Sequence, residues 1–73
     1  MLKKKSVLLA GHATSIALEP EFWAVLEARA VVLEISLAAL LKQIDAARGR
    51  RPLASACRVS ALQWATEGAA ARP

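Results

Sequence analysis

At 73 residues and a net charge of +4, the chain has room for one domain whose core is small enough to leave a monomer marginal, so oligomerisation is the expected staple. Apolar residues make up 56% of it and aromatics only 4%, which points to a core of Leu, Val, Ile and Ala carried largely on helices. The single cysteine, Cys57, excludes an internal disulfide and a Cys-rich metal site, and no uncharged stretch reaches the roughly 18 residues that span a bilayer.

From the start of the chain, Met1-Leu2-Lys3-Lys4-Lys5 ahead of Val7-Leu8-Leu9-Ala10 imitates a secretory signal. His12 and Glu19 interrupt the apolar stretch and no small-x-small cleavage site follows, so a reducing cytoplasm is the expected home. Ser6 to Leu18 is β-like, and Gly11 reads as a bulge or bend between an outer arm and one short inner strand. In that strand Ile16 and Leu18 point to one face while Ser15 and Ala17 point to the other.

The two-residue period turns helical at Pro20, which suits a first helical position because its missing N–H is one the helix would leave unpaired; Glu19 and Glu21 put negative charge at the helix's positive end. Helix one then runs from Pro20 to Leu33, with Phe22, Trp23, Leu26, Ala30 and Leu33 gathered on one face. Ser36 is a good N-cap for helix two, which continues through Leu37, Leu40, Leu41 and Ile44 to about Arg48, where Gly49 ends it and Pro52 blocks continuation. A third helix runs from about Leu53 or Ala54 to Glu67, offering Ala56, Val59, Ala61, Leu62 and Trp64 for packing. The expected domain is residues 1–67, and the low-complexity stretch 68–73 is an expected disordered tail. The fold class is mainly α with one short β-strand. Such a strand has no partner among its own helices, and unpaired backbone is costly to bury, so it is expected to pair with the same strand of a second copy.

Strand, Pro-initiated helix, short turn and Ser-capped second helix resemble the ribbon-helix-helix DNA-binding proteins. Ala10-Gly11-His12, Thr14-Ser15, Leu18-Glu19-Pro20-Glu21-Phe22-Trp23 and Ser36-Leu37-Ala38-Ala39-Leu40 resemble more narrowly a small bacterial subfamily with an extra C-terminal helix, over residues 3–66. The resemblance implies a homodimer whose two strands form an intersubunit antiparallel ribbon that enters the DNA major groove in transcription regulation. Its base-facing positions fall on Ala13, Ser15 and Ala17, with Thr14, Ile16 and Leu18 turned toward the helices. Ile16, Leu18, Trp23, Leu26 and Ile44 are the expected dimer core.

Two departures stand out. The family tends to place Arg or another polar residue where this chain has Ala13 and Ala17, and alanine offers only a methyl contact to thymine, which implies weak base readout. Glu34 stands where the family usually has Gly, so either the turn after helix one is strained or that helix ends differently. Phosphate contacts are better served. The N-terminus of helix two at Ser36, Leu37 and Ala38 presents free N–H groups, and Lys3, Lys4 and Lys5 supply cations, against the plainer readings of a helix cap and a solvated terminus. Arg48, Arg50 and Arg51 read first as a charge complement to a helix C-terminus.

No catalytic constellation, metal cohort or cofactor loop is legible. His12 is the only histidine, Cys57 opens an apolar helical pattern, and Trp23 and Trp64 are expected core anchors. The leading expectation is a double-stranded-DNA-binding regulator. The alternative is a protein-interaction or dimerisation module on the same scaffold that has lost specific DNA binding. A membrane-surface role is disfavoured because the basic segment is strand-like.

Overall fold

The computed structural model describes residues 1–70, with side chains described as far as Glu67. In chain order the elements are β1 (Lys3–Leu9), β2 (His12–Leu18), α1 (Pro20–Leu33), α2 (Leu37–Ala47) and α3 (Leu53–Ala70). Where one strand was expected there are two. β1 and β2 pair antiparallel within the chain, in a register running from Lys3 opposite Leu18 to Leu9 opposite His12. The physical reason is the pair Ala10-Gly11, which reverses the chain in two residues at φ +51° and +81°. Positive φ at both central positions gives the turn a twist that matches the flanking strands. Gly11 is therefore part of a hairpin turn and not a bulge, and the β-ribbon is built inside one chain.

Alternation of side chains along both strands then sorts the hairpin into two faces. Leu9, Ile16 and Leu18 are buried against the helices, while Lys4, Ser6, Leu8, Ala13 and Ser15 are exposed on the other side. Trp23 of α1 closes the inner face near the open end of the hairpin, where its Nε1 donates to the Lys3 carbonyl at 2.7 Å.

α1 begins as its sequence dictates. Glu19 is the extended N-cap residue, its carbonyl accepting from the Phe22 and Trp23 N–H groups at 3.0 and 3.2 Å, with Pro20 in the first turn. The helix ends at Glu34, which adopts the left-handed conformation at φ +57°, and the Ile35 N–H donates to the Ala30 carbonyl at 3.0 Å. The strained alternative is thus the one realised, at about 1 kcal/mol or more for a residue with a Cβ. Ser36 caps α2, its Oγ accepting from the Ala39 N–H at 3.0 Å. α2 stops at Ala47, with Arg48 as its C-cap and Gly49 beyond it at φ +61°. α3 extends to Ala70, three residues past the expected Glu67, and the remainder of the expected tail, 71–73, lies outside the described residues.

The core joins Leu9, Ile16 and Leu18 of the hairpin to Trp23, Leu26 and Ala30 of α1, Leu40, Leu41 and Ile44 of α2, and Ala56, Cys57 and Ala61 of α3. All five residues expected in a dimer core are buried within a single chain. Two expected packing residues are not: Leu33 and Leu62 are exposed, because apolar residues are spread over more than one side of α1 and α3 and the chain covers only one side of each. α2, in contrast, divides cleanly, with Leu40, Leu41 and Ile44 inward and Lys42 and Gln43 in solvent.

Candidate nucleic-acid interface

The outward face of the hairpin is built from three cross-strand pairs: Lys4 opposite Ala17, Ser6 opposite Ser15, and Leu8 opposite Ala13. Ala13 and Ser15 are exposed and Ala17 is half-buried. Among the described residues Ser6, Ser15 and Lys4 make no side-chain hydrogen bond within the chain, which leaves two hydroxyls and an ammonium free toward solvent. Ser6 is the residue that a one-strand reading misses. Its signal was the alternation Ser6, Leu8 leading into Ala10-Gly11, legible only once the turn is placed.

The strand also divides the lysine run, which a disordered terminus would have left together. Lys4 sits on the outward face, whereas Lys5 turns inward: its Nζ lies 2.9 Å from Glu27 Oε1 and 5.4 Å from the centre of the Trp23 ring. Glu27 neutralises much of that charge, and the cation–π contact holds the side chain against α1. Lys3 is exposed at the hairpin's open end, on the same strand face as Lys5.

Ser36 and Ala38 are exposed and Leu37 half-buried at the start of α2. α2 meets the hairpin through its later turns, where Lys42, Asp45 and Ala46 line a hollow with Leu8, Leu9, Ala10 and Gly11. Ser36 therefore stands about 9 Å along the helix axis from Lys42, away from the hairpin turn. The Ser36 Oγ is already occupied by its cap, so further acceptors at this helix end would be met by backbone N–H groups. Of the arginine cluster, Arg48 is engaged locally: Nε lies 2.6 Å from Asp45 Oδ1 and Nη1 donates to the Arg51 carbonyl at 2.8 Å.

At the junction of β2 and α1, Arg58 of α3 reaches back to Glu19, with Nε donating to Oε1 at 3.0 Å and the guanidinium 5.9 Å from the Phe22 ring centre. A hydrogen bond from its own backbone, then the Arg58 guanidinium, hold the Glu19 carboxyl below its usual range. Cys57 is fully buried, and desolvation pushes its thiol up to about 11, so it stays protonated and unreactive while the chain is folded. His12 is exposed at the start of β2 opposite Leu9, and among the described residues no three His, Cys, Asp or Glu side chains cluster. No helix among those residues is long and apolar enough to cross a membrane.

A sequence profile of the ribbon-helix-helix domain matches residues 2–65, which takes in the hairpin, α1, α2 and most of α3. No curated protein and no solved structure is significantly similar to the chain.

Proposed function

The chain belongs to the ribbon-helix-helix domain family, whose members generally bind DNA as transcription regulators, and from that premise we propose that it binds double-stranded DNA through the outward face of its hairpin. The observation that carries this reading is the exposed, helix-free ribbon face with Ser6 and Ser15 directly opposed and Lys4 beside Ala17. Two strands about 4.8 Å apart, with their side chains, suit a major groove about 12 Å wide. The serine hydroxyls can donate to or accept from base edges, while Ala13 and Ala17 offer methyl contact to thymine. Phosphates are met by Lys4, by Lys3 at the open end, and by the N–H groups at Leu37 and Ala38. Base readout is weak, and the counterion-releasing phosphate contacts supply most of the affinity.

The working unit is a homodimer, supported by the small core and by the apolar outer sides of α1 and α3. A second reading, docking of another protein on the same ribbon, draws on Leu8, which is 63% exposed beside Ala13. A salt titration of a gel shift with random duplex DNA decides between them. Binding at low salt that falls steeply with added salt, and a gain of about tenfold or more from Ala17→Arg, which puts a bidentate donor on the ribbon, support the DNA reading. No duplex binding at low salt, or no change from Ala17→Arg in a folded protein, leaves the protein-docking reading in its place.

A further inference from the structure

Among the described residues four cations are half-buried, Lys5, Arg29, Arg48 and Arg58, and three of them hold a carboxylate. Lys5 Nζ lies 2.9 Å from Glu27, Arg48 Nε 2.6 Å from Asp45 and Arg58 Nε 3.0 Å from Glu19. Arg29 has none. Its guanidinium makes no ion pair and no hydrogen bond within the described chain, and its Nε is buried without an acceptor. A charge drawn partly out of water is costly until it is paired.

The surroundings of Arg29 have the form of a ligand site. The guanidinium lies 5.1 Å from the centre of the Trp64 ring, a cation–π contact that limits its swing. Around it α1 and α3 leave an open groove of about 500 Å³, with Val25, Ala28 and Val32 of α1 and Trp64 of α3 on its floor. From Val25 to Val32 that floor runs about 10 Å along the helix. A concave apolar surface of this size with one placed polar group is how small-molecule sites are ordinarily built.

We propose that the groove binds a small monocarboxylate with an apolar acyl tail, the tail lying along Val25 to Val32 and the carboxylate meeting the Arg29 guanidinium. Because Nε is closed off, the head group is met end-on by the two Nη groups, whose planar fork matches the two carboxylate oxygens. Partial exclusion of water strengthens that pairing. Glu67 lines the same groove and makes no ion pair within the described chain, so its charge disfavours a second negative charge on the ligand and selects a carboxylate over a phosphate monoester. The exposed Val31, Leu33 and Leu62 do not line the groove, which leaves a second copy of the chain its own apolar surface. The inference goes beyond the DNA reading and does not rest on it.

Octanoate is the probe, with octylammonium as the same tail under the opposite charge and acetate as the same head without a tail. Titrated into the full chain at neutral pH, octanoate should bind with a dissociation constant of about 1 mM or below by calorimetry. It should also move the indole N–H resonance of Trp64 and leave that of Trp23, which is tied to the Lys3 carbonyl. Octylammonium and acetate should each bind at least about tenfold more weakly. Arg29→Gln removes the charge and should weaken octanoate by about tenfold or more. Val32→Asp, at a position 71% exposed where the fold has little to lose, should do the same by setting a carboxylate on the floor. Glu67→Gln should tighten binding by up to about fivefold. No octanoate binding by about 10 mM, octylammonium or acetate binding as tightly as octanoate, or undiminished binding to an Arg29→Gln or Val32→Asp protein that circular dichroism shows to be folded, overturns the proposal. So does octanoate that lowers the sedimenting mass of the chain, since the groove then belongs to a contact between copies. A Glu67→Gln protein that binds no better overturns the selection against a second charge. No duplex is present, so the DNA reading stands or falls separately.

Discussion

On its helix-facing side the hairpin presents Leu9, Ile16 and Leu18, all buried, with Lys5 held by Glu27 and Trp23 closing the open end. One residue along in each case, on the opposite side, stand Leu8, Ser15 and Ala17, with Lys4 and Ser6 beside them, none of them in a side-chain hydrogen bond. The same fourteen strand residues therefore serve two purposes, and a shift of a single position decides which. Inward residues are fixed by what packs on them. Outward residues are constrained only by the width and twist of the ribbon, so substitutions there leave the fold standing and are the ones that test the proposed DNA contact.

The dependence of the inner face on α1 is concentrated at Trp23. Trp23→Ala removes the ring that closes the inner face and leaves the Lys3 carbonyl without its donor, and should cost about 3 to 5 kcal/mol, read as a loss of the cooperative transition in urea. A folded variant of nearly unchanged stability would show that the inner face does not depend on α1. The next effect lies in the turn, which belongs to neither face. Ala10→Gly relieves a left-handed alanine and should stabilise the chain by about 1 kcal/mol without altering DNA affinity, and Glu34→Gly should do the same after α1. A lowered melting temperature in Ala10→Gly would refute the strain.

Lys4 and Lys5, adjacent in sequence and opposite in direction, sharpen the contrast further. Lys4→Ala should reduce the slope of log affinity against log salt by about 0.9, since one phosphate fewer is neutralised on binding. Lys5→Ala should leave that slope alone and cost about 0.2 to 1 kcal/mol of stability for an exposed ion pair. Equal slopes in the two variants would erase the distinction between the faces. The smallest effect falls where the inner face runs out into α1. Because folding holds the Glu19 carboxyl more acidic than its ordinary value of 4.5, its contribution is complete above pH 4.5 and is lost as the pH falls through the folded value. Glu19→Gln should flatten that acid limb of the melting curve; an unchanged limb would show that Glu19 plays no part in it.

Most of the helical part was legible because its signals are local: Pro20 after Glu19, the Ser36 hydroxyl, and Gly49 beyond Arg48 each act within one turn. Alternation likewise placed Ile16 and Leu18 opposite Ser15 and Ala17. The hairpin was not legible, because the strongest signal for a two-residue turn is Asn-Gly or Asp-Gly, and Ala10 has no side chain suited to the left-handed region. Without the turn, there is no reason to separate β1 from an outer arm, to pair Ser6 with Ser15, or to divide the three lysines between two faces. The exposure of Leu33 and Leu62 is hidden for a different reason: where apolar and polar residues are not segregated around a helix, periodicity cannot tell which side the chain covers.

Cys57 gives the molecule a built-in clock. It is the only thiol, it has no solvent-exposed surface, and it stays in its inert protonated form until α3 leaves the core. A thiol reagent in the surrounding solution can act on the chain only during those excursions, so the rate at which Cys57 is capped counts how often α3 comes away from the core. Any partner that grips the folded form, whether duplex or second copy, slows that count by the fraction of time it holds on.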